Sequence, residues 1–133
     1  MVDITCLHEA AHCVAAAAVG LSVGGVSQEH CILEKSDAAG MRIQNCIATL
    51  APHFLDPLGS KDDLQAVAKL IEELPFTPEF YVDTTRKLME RPDVILATTT
   101  LAAALERAGE LSPQEIETII NPILFKKVKI NGK

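Results

Sequence analysis

Apolar positions recur at helical spacing through most of this chain, and the periodic stretches break at proline, glycine and capping residues. The first stretch, DITCLHEAAHCVAAAAVG, predicts a helix from about Asp3, suited to an N-cap, to Val19, with Gly20 placed to end it. LSVGGVSQEHCILEKS then loses the helical period. It is rich in glycine and β-branched residues, and it predicts one or two short strands joined by a turn, the only β signal in the chain. Helical spacing resumes in MRIQNCIATLAPHFLDPL, with Ile43, Ile47 and Leu50 on one face, until Pro52 and Pro57 disturb it. In GSKDDLQAVAKLIEEL, Leu64, Val67, Leu70, Ile71 and Leu74 form an apolar stripe behind a Ser60/Asp63 capping box. TPEFYVDTTRKLMER opens with Thr77 and Pro78 at cap and first-turn positions, and PDVILATTTLAAALERAGE predicts a further helix ending near Gly109. SPQEIETIINPIL closes the set, with Ser112 as N-cap, Pro113 at the first helical position and Glu115 completing the box.

These elements describe a mainly α fold with a small β-hairpin or strand element. A chain of 133 residues can bury a real core without disulfides, so residues 1–125 are expected to form a single domain. The basic tail 126–133 is expected to fray. No apolar run approaches the ~18 residues that span a bilayer, so no membrane span is expected. The N-terminus lacks a basic flank followed by an apolar run, because Asp3, His8 and Glu9 interrupt it, which argues against a secretory signal. The four cysteines, Cys6, Cys13, Cys31 and Cys46, form no CxxC pair, which excludes a zinc ribbon and suits free thiols in a reducing cytoplasm. A net charge of −6 offers no basic face for a phosphate backbone, so a nucleic-acid partner is not expected.

The chemistry lies in HEAAH, residues 8 to 12. His8 and His12 project from one helix face at the separation that two ligands of one tetrahedral zinc require. Glu9 is placed to take a proton from a zinc-activated water and return it to a leaving amine. A third ligand is needed, and His30, Cys31, His53, Asp62, Asp63 and Glu29 are all chemically able. Asp63 also has a structural explanation as the third residue of a capped helix. Cys6 and Cys13 read as small apolar residues on the packed side of the first helix, and Thr98 to Thr100 as hydroxyls able to back-bond within theirs. Two histidines that merely pack on an alanine-rich helix are the alternative to a metal site.

HEAAH, followed about fifty residues later by GSKDDLQAVAKLI, resembles the peptidase domain of the FtsH-type ATP-dependent zinc metalloproteases. There an HEAGH helix is paired with a downstream G-x-S-x-D-L or G-A-S-N-D-L helix start. LAAALERAGELSPQEIETII also looks like the closing segment of that family, so the likeness runs from Thr5 to about Ile120. The resemblance implies Zn²⁺ held by His8, His12 and Asp63, with Glu9 as general base. It implies hydrolysis of peptide bonds and, from the rings of the family, a homo-oligomer. The chain departs from the pattern in a shorter spacing between His12 and Asp63, and in LAPHFLDPL, which puts His53 and Phe54 where small and acidic residues are usual. It has no GxxxxGK[ST] phosphate loop, so any peptidase activity is expected to be ATP-independent, confined to short or unfolded polypeptides, or served by a separate ATPase partner. VSQEHCILEKS is expected to line the substrate cleft as a strand edge. The alternative is a catalytically silent module that keeps the fold and the metal, a reading motivated by APHFLDPL.

Overall fold

The computed structural model describes residues 3–28, 31–33, 41–56 and 61–125. Ser60, one half of the expected capping box, Glu29 and His30 among the candidate ligands, and the basic tail 126–133 lie outside the described residues.

The elements follow the apolar periodicity closely. Helix α1 spans Ile4–Ala18, β1 Val23–Ser27 and β2 Cys31–Leu33. Helix α2 spans Met41–Leu50 and runs into a 3-10 helix at Ala51–Phe54. Then come α3 at Lys61–Glu72, α4 at Pro78–Met89, α5 at Pro92–Ala108, β3 at Glu110–Leu111 and α6 at Pro113–Leu124. The domain is mainly helical with a small antiparallel sheet.

Helix α1 sits at the centre because it is apolar on nearly every side. Its alanines Ala10, Ala11, Ala15 and Ala16 are fully buried, and their small side chains let α5, α2 and β1 pack around one helix. The helix starts where Asp3 accepts a hydrogen bond from the Thr5 amide. It ends in a Schellman arrangement: Leu21 N–H donates to the Ala16 carbonyl and Gly20 N–H to that of Ala17, with Gly20 at φ 90°. Leu21 then packs beside Ala16 and Ala48. Leu101 and Leu105 of α5 and Ile116 and Ile120 of α6 complete the main core.

A second cluster joins Cys46 and Leu50 of α2, Val67 of α3 and Tyr81 of α4, with Leu64, Leu70, Ile71 and Leu74 partly buried against it. The apolar stripe of α3 is thus turned inward, although Val67 is its only fully buried residue. Its contact with α2 carries the start of α3 toward α1.

The sheet has the order β2-β1-β3, so β2 lies at an edge among the described residues. The third strand corrects the expectation of a single β segment. Glu110 and Leu111 pair with Ser27 and Val26, and a two-residue strand between helices is too short for alternation to reveal. Gly25, at φ 144°, holds a backbone conformation beside this pairing that a side chain would strain. The register also slips by one residue between Val23 and Gly25, a bulge in β1.

The capping expectations divide. Ser112 and Glu115 form the full reciprocal box at α6, whereas Thr77 has N-cap backbone geometry at α4 without a side-chain capping bond. Thr98 and Thr99 bond back to the carbonyls of Val94 and Ile95, which satisfies the buried Thr98 hydroxyl inside α5. No helix among the described residues is long and apolar enough to cross a membrane.

Leu101 is fully buried where α5 meets α1 and α6. Leu101→Ala is expected to lower stability by about 2–5 kcal/mol through lost burial and a residual cavity, read as a lower urea midpoint.

Candidate metal centre

Three side chains converge where α1 meets the start of α3. The ligand atoms of His8, His12 and Asp63 all lie within 4.8 Å of one another. His8 Nε2 stands 2.8 Å from Asp63 Oδ2 and His12 Nε2 stands 3.2 Å from it. The two rings meet edge to face with centroids 5.1 Å apart, as two residues one helical turn apart do when both point at one spot. The contact joins positions 55 and 51 residues apart in the chain, so no local geometry imposes it.

The other nitrogen of each ring is also engaged. His8 Nδ1 is 3.1 Å from Asp56 Oδ2, and His12 Nδ1 is 2.9 Å from the Ala48 carbonyl oxygen. A carbonyl only accepts, so His12 Nδ1 carries the proton and donates it; in the neutral ring, Nε2 then presents its lone pair toward Asp63. Asp56 orients His8 in the same way. A carboxylate or carbonyl behind each imidazole is the support that metal-binding histidines need to fix tautomer and ring direction. A zinc ion held by these two imidazole nitrogens and one carboxylate oxygen would have three protein ligands among the described residues, the donor count of catalytic rather than closed structural zinc sites.

Glu9 lies beside the cluster, with its carboxylate 4.0 Å from His8 Nε2. It is 7% exposed, and the Cys31 backbone N–H donates to it, which ties the carboxylate to β2. Burial raises the Glu9 pKa from its ordinary value, and Asp63 adds to the rise, against the lowering effect of His12, His8 and the Cys31 amide. The His8 pKa is raised chiefly by its hydrogen bond to Asp63, which outweighs the cost of burial. For Asp63 burial pushes upward, but the hydrogen bonds and charges of His12 and His8 prevail and hold the carboxyl well below the usual range. Without metal, the contact with Asp63 thus favours the protonated form of His8 and the ionised form of Asp63.

Of the candidate ligands, the structure brings Asp63 to the histidines. Its Oδ2 is directed at the rings, so the role of Asp63 goes beyond capping a helix. Cys31 instead places its sulfur 2.8 Å from that of Cys13. His53 stacks edge to face on Phe54, and the single group of potential ligands among the described residues includes neither it nor Asp62. Sequence reasoning missed Asp56 and the Ala48 carbonyl. An aspartate before a proline reads as a turn residue, and a helix carbonyl has no signature at all. No protein-family model, curated protein or solved structure matches the chain.

With zinc as probe ion, His8→Ala, His12→Ala and Asp63→Asn are each expected to abolish tight one-to-one binding. Asp56→Asn should keep the stoichiometry and lose affinity by about 10–100-fold. Calorimetric titration checks both, and full affinity in Asp63→Asn would remove that residue from the centre.

The pKa shifts also set a pH dependence. In the metal-free chain the His8 interaction stabilises the fold fully below the ordinary histidine value of 6.5 and is lost as pH rises through the raised one. Asp63 contributes above its ordinary 3.8, and that contribution is lost as pH falls through its lowered value. Glu9 acts oppositely, costing stability as it ionises above 4.5. From these three groups the metal-free protein is expected to be most stable just above 3.8, to lose stability as Glu9 ionises above 4.5, and to weaken further as His8 loses its proton above 6.5. Zinc competes with protons for the ligands and should reverse that trend. Urea midpoints across this range, with chelator and with zinc, measure both curves.

Proposed function

We propose that this protein is a zinc metallopeptidase of the HExxH type, similar to the peptidase domain of FtsH-type proteases and acting without ATP on short or unfolded polypeptides. One observation carries the proposal: His8 Nε2, His12 Nε2 and Asp63 Oδ2 converge while the remaining ring nitrogens are held by Asp56 and the Ala48 carbonyl. Packing histidines need hydrogen-bond partners as well, but not two ring nitrogens gathered on one carboxylate oxygen.

Zinc bound by these three side chains supplies a water acidified toward a pKa of ~7 and a Lewis acid for the peptide carbonyl. Glu9, next to His8 and partly desolvated, would serve as general base, taking a proton on a carboxylate oxygen and passing it to the amide nitrogen of the leaving strand. Asp56 and the Ala48 carbonyl keep the imidazoles from rotating as charge shifts.

Strand β2 supports the expected cleft wall. It lies at the sheet edge among the described residues, and its Cys31 amide touches the catalytic glutamate. A peptide added along β2 would run past Glu9 with its backbone paired rather than its side chains read, which favours extended, unfolded substrates. An oligomer or a separate ATPase partner belongs to the same proposal. Exposed Phe76, Phe80, Ile95 and Leu96 are the apolar side chains on which such contacts would be built.

The burial of Glu9 and its bond to the Cys31 amide favour one second reading, a metal-holding module without turnover. Cleavage of a denatured peptide pool by the zinc-loaded protein separates the two. The wild type is expected to cut, and Glu9→Gln to keep zinc while losing at least about 10²-fold in rate. Zinc retained by both with cleavage by neither would assign the chain to the binding module. Cleavage undiminished in Glu9→Gln would remove Glu9 as base.

A further inference from the structure

Cys13 and Cys31 bring their sulfurs to 2.8 Å, although both are free thiols. The pair joins two elements that matter to the metal centre. Cys13 follows His12 on α1, and Cys31 is the first residue of β2, whose amide is bonded to Glu9. Cys13 is fully buried, whereas Cys31 is half-buried and within reach of solvent. The remaining thiols, Cys6 and Cys46, are both buried and sit in separate core clusters. One cysteine is thus exposed to an oxidant and one partner is already in place behind it.

We propose that Cys13 and Cys31 form a reversible redox site that closes to a disulfide under a hydroperoxide and pins β2 to the metal-bearing helix. The inference goes beyond the peptidase proposal and does not depend on it, since no step uses the metal or Glu9 as a reactant. The Cys31 sulfur attacks the O–O bond of the hydroperoxide; an S–O bond forms, the O–O bond breaks, and one alcohol or water leaves. The Cys13 sulfur then attacks the sulfenic sulfur; the S–S bond forms, the S–OH bond breaks, and the hydroxyl departs with the Cys13 proton as water. Two thiols lose two electrons and the hydroperoxide gains them. The sulfurs must approach from 2.8 Å to a bonded separation of ~2.05 Å, a movement smaller than a side-chain rotation provides.

Closure has a consequence at the glutamate. The Cys31 amide donates to Glu9, so a covalent tie at the Cys31 side chain fixes that donor and the strand edge in one position. A thiol reductant releases them.

The test uses the intact wild-type protein, so it does not rely on a variant that folds poorly. The zinc-loaded chain is treated with a small excess of hydrogen peroxide, digested without reduction and mapped by mass spectrometry. The expected product is one Cys13–Cys31 cross-linked peptide, with Cys6 and Cys46 still alkylatable and the cross-link reversed by dithiothreitol. Hydrogen exchange at the Cys31 amide is expected to slow by ~10-fold or more in the oxidised form, the mark of a pinned strand. Cys31 carried to sulfinic acid without a cross-link, or a disulfide that includes Cys6 or Cys46, overturns the site. A Cys13–Cys31 bond with unchanged amide exchange overturns the pinning. Absence of peptide cleavage by the wild-type protein would leave all these readouts in place, so failure of the redox site and failure of the peptidase reading are distinguishable.

Discussion

Burying two histidines and a glutamate within a single helix is the constraint on which the rest of the structure depends. His8, Glu9 and His12 are each less than a tenth exposed on a helix otherwise filled with alanine, cysteine and valine. Polar groups removed from water destabilise a fold unless every one finds a partner. The chain supplies those partners from four distant places: the Ala48 carbonyl, Asp56, Asp63 and the Cys31 amide. Each brings a different element against the same face of α1. The geometry of the centre and the geometry of the fold are therefore one problem with one solution.

That solution is unevenly secured. Helix α1 is locked by α5 and α6 through a continuous apolar core. Helix α3 is held by the α2 contact and a stripe that is mostly half-buried, with Val67 its only fully buried residue. A charge pair between buried groups is a modest source of net stability, because desolvation offsets much of the attraction. A metal ion held by the same three side chains would compete with protons for them and add its binding energy to the folded state. The stability of the α3 position and the occupancy of the centre are thus linked.

The sheet serves the site as well as the core, in which Val26 and Leu111 are buried. Its three strands are short, and β2 lies where Glu9 and Cys13 both touch it. The bulge in β1 and the positive φ of Gly25 accompany the pairing of β3 on one side of the sheet, which leaves β2 as the other edge among the described residues, beside Glu9 and Cys13. An edge in this place can recruit an extended chain through backbone pairing, and the same strand carries the accessible member of the cysteine pair. Substrate contact and redox chemistry would then meet on three residues of backbone.

The sequence by itself determined what repeats along one helix. Local periodicity and capping rules place α1 between Asp3 and Gly20, give α6 its box at Ser112 and Glu115, and put His8, Glu9 and His12 on one face, since these depend only on residues within a turn or two. Asp63 was legible only through the resemblance of its surroundings to a known pattern, because spacing alone could not rank it above Asp62, Cys31 or His53. Tertiary structure decided the rest. Asp56 and the Ala48 carbonyl became supports for the rings, and Cys31 turned from candidate ligand to the partner of Cys13, through contacts 18 to 48 residues apart. The short strand Glu110–Leu111 formed only because β1 was there to pair with it. Such contacts are fixed by how whole helices pack, and a one-dimensional pattern carries no record of which carbonyl or carboxylate will arrive behind an imidazole.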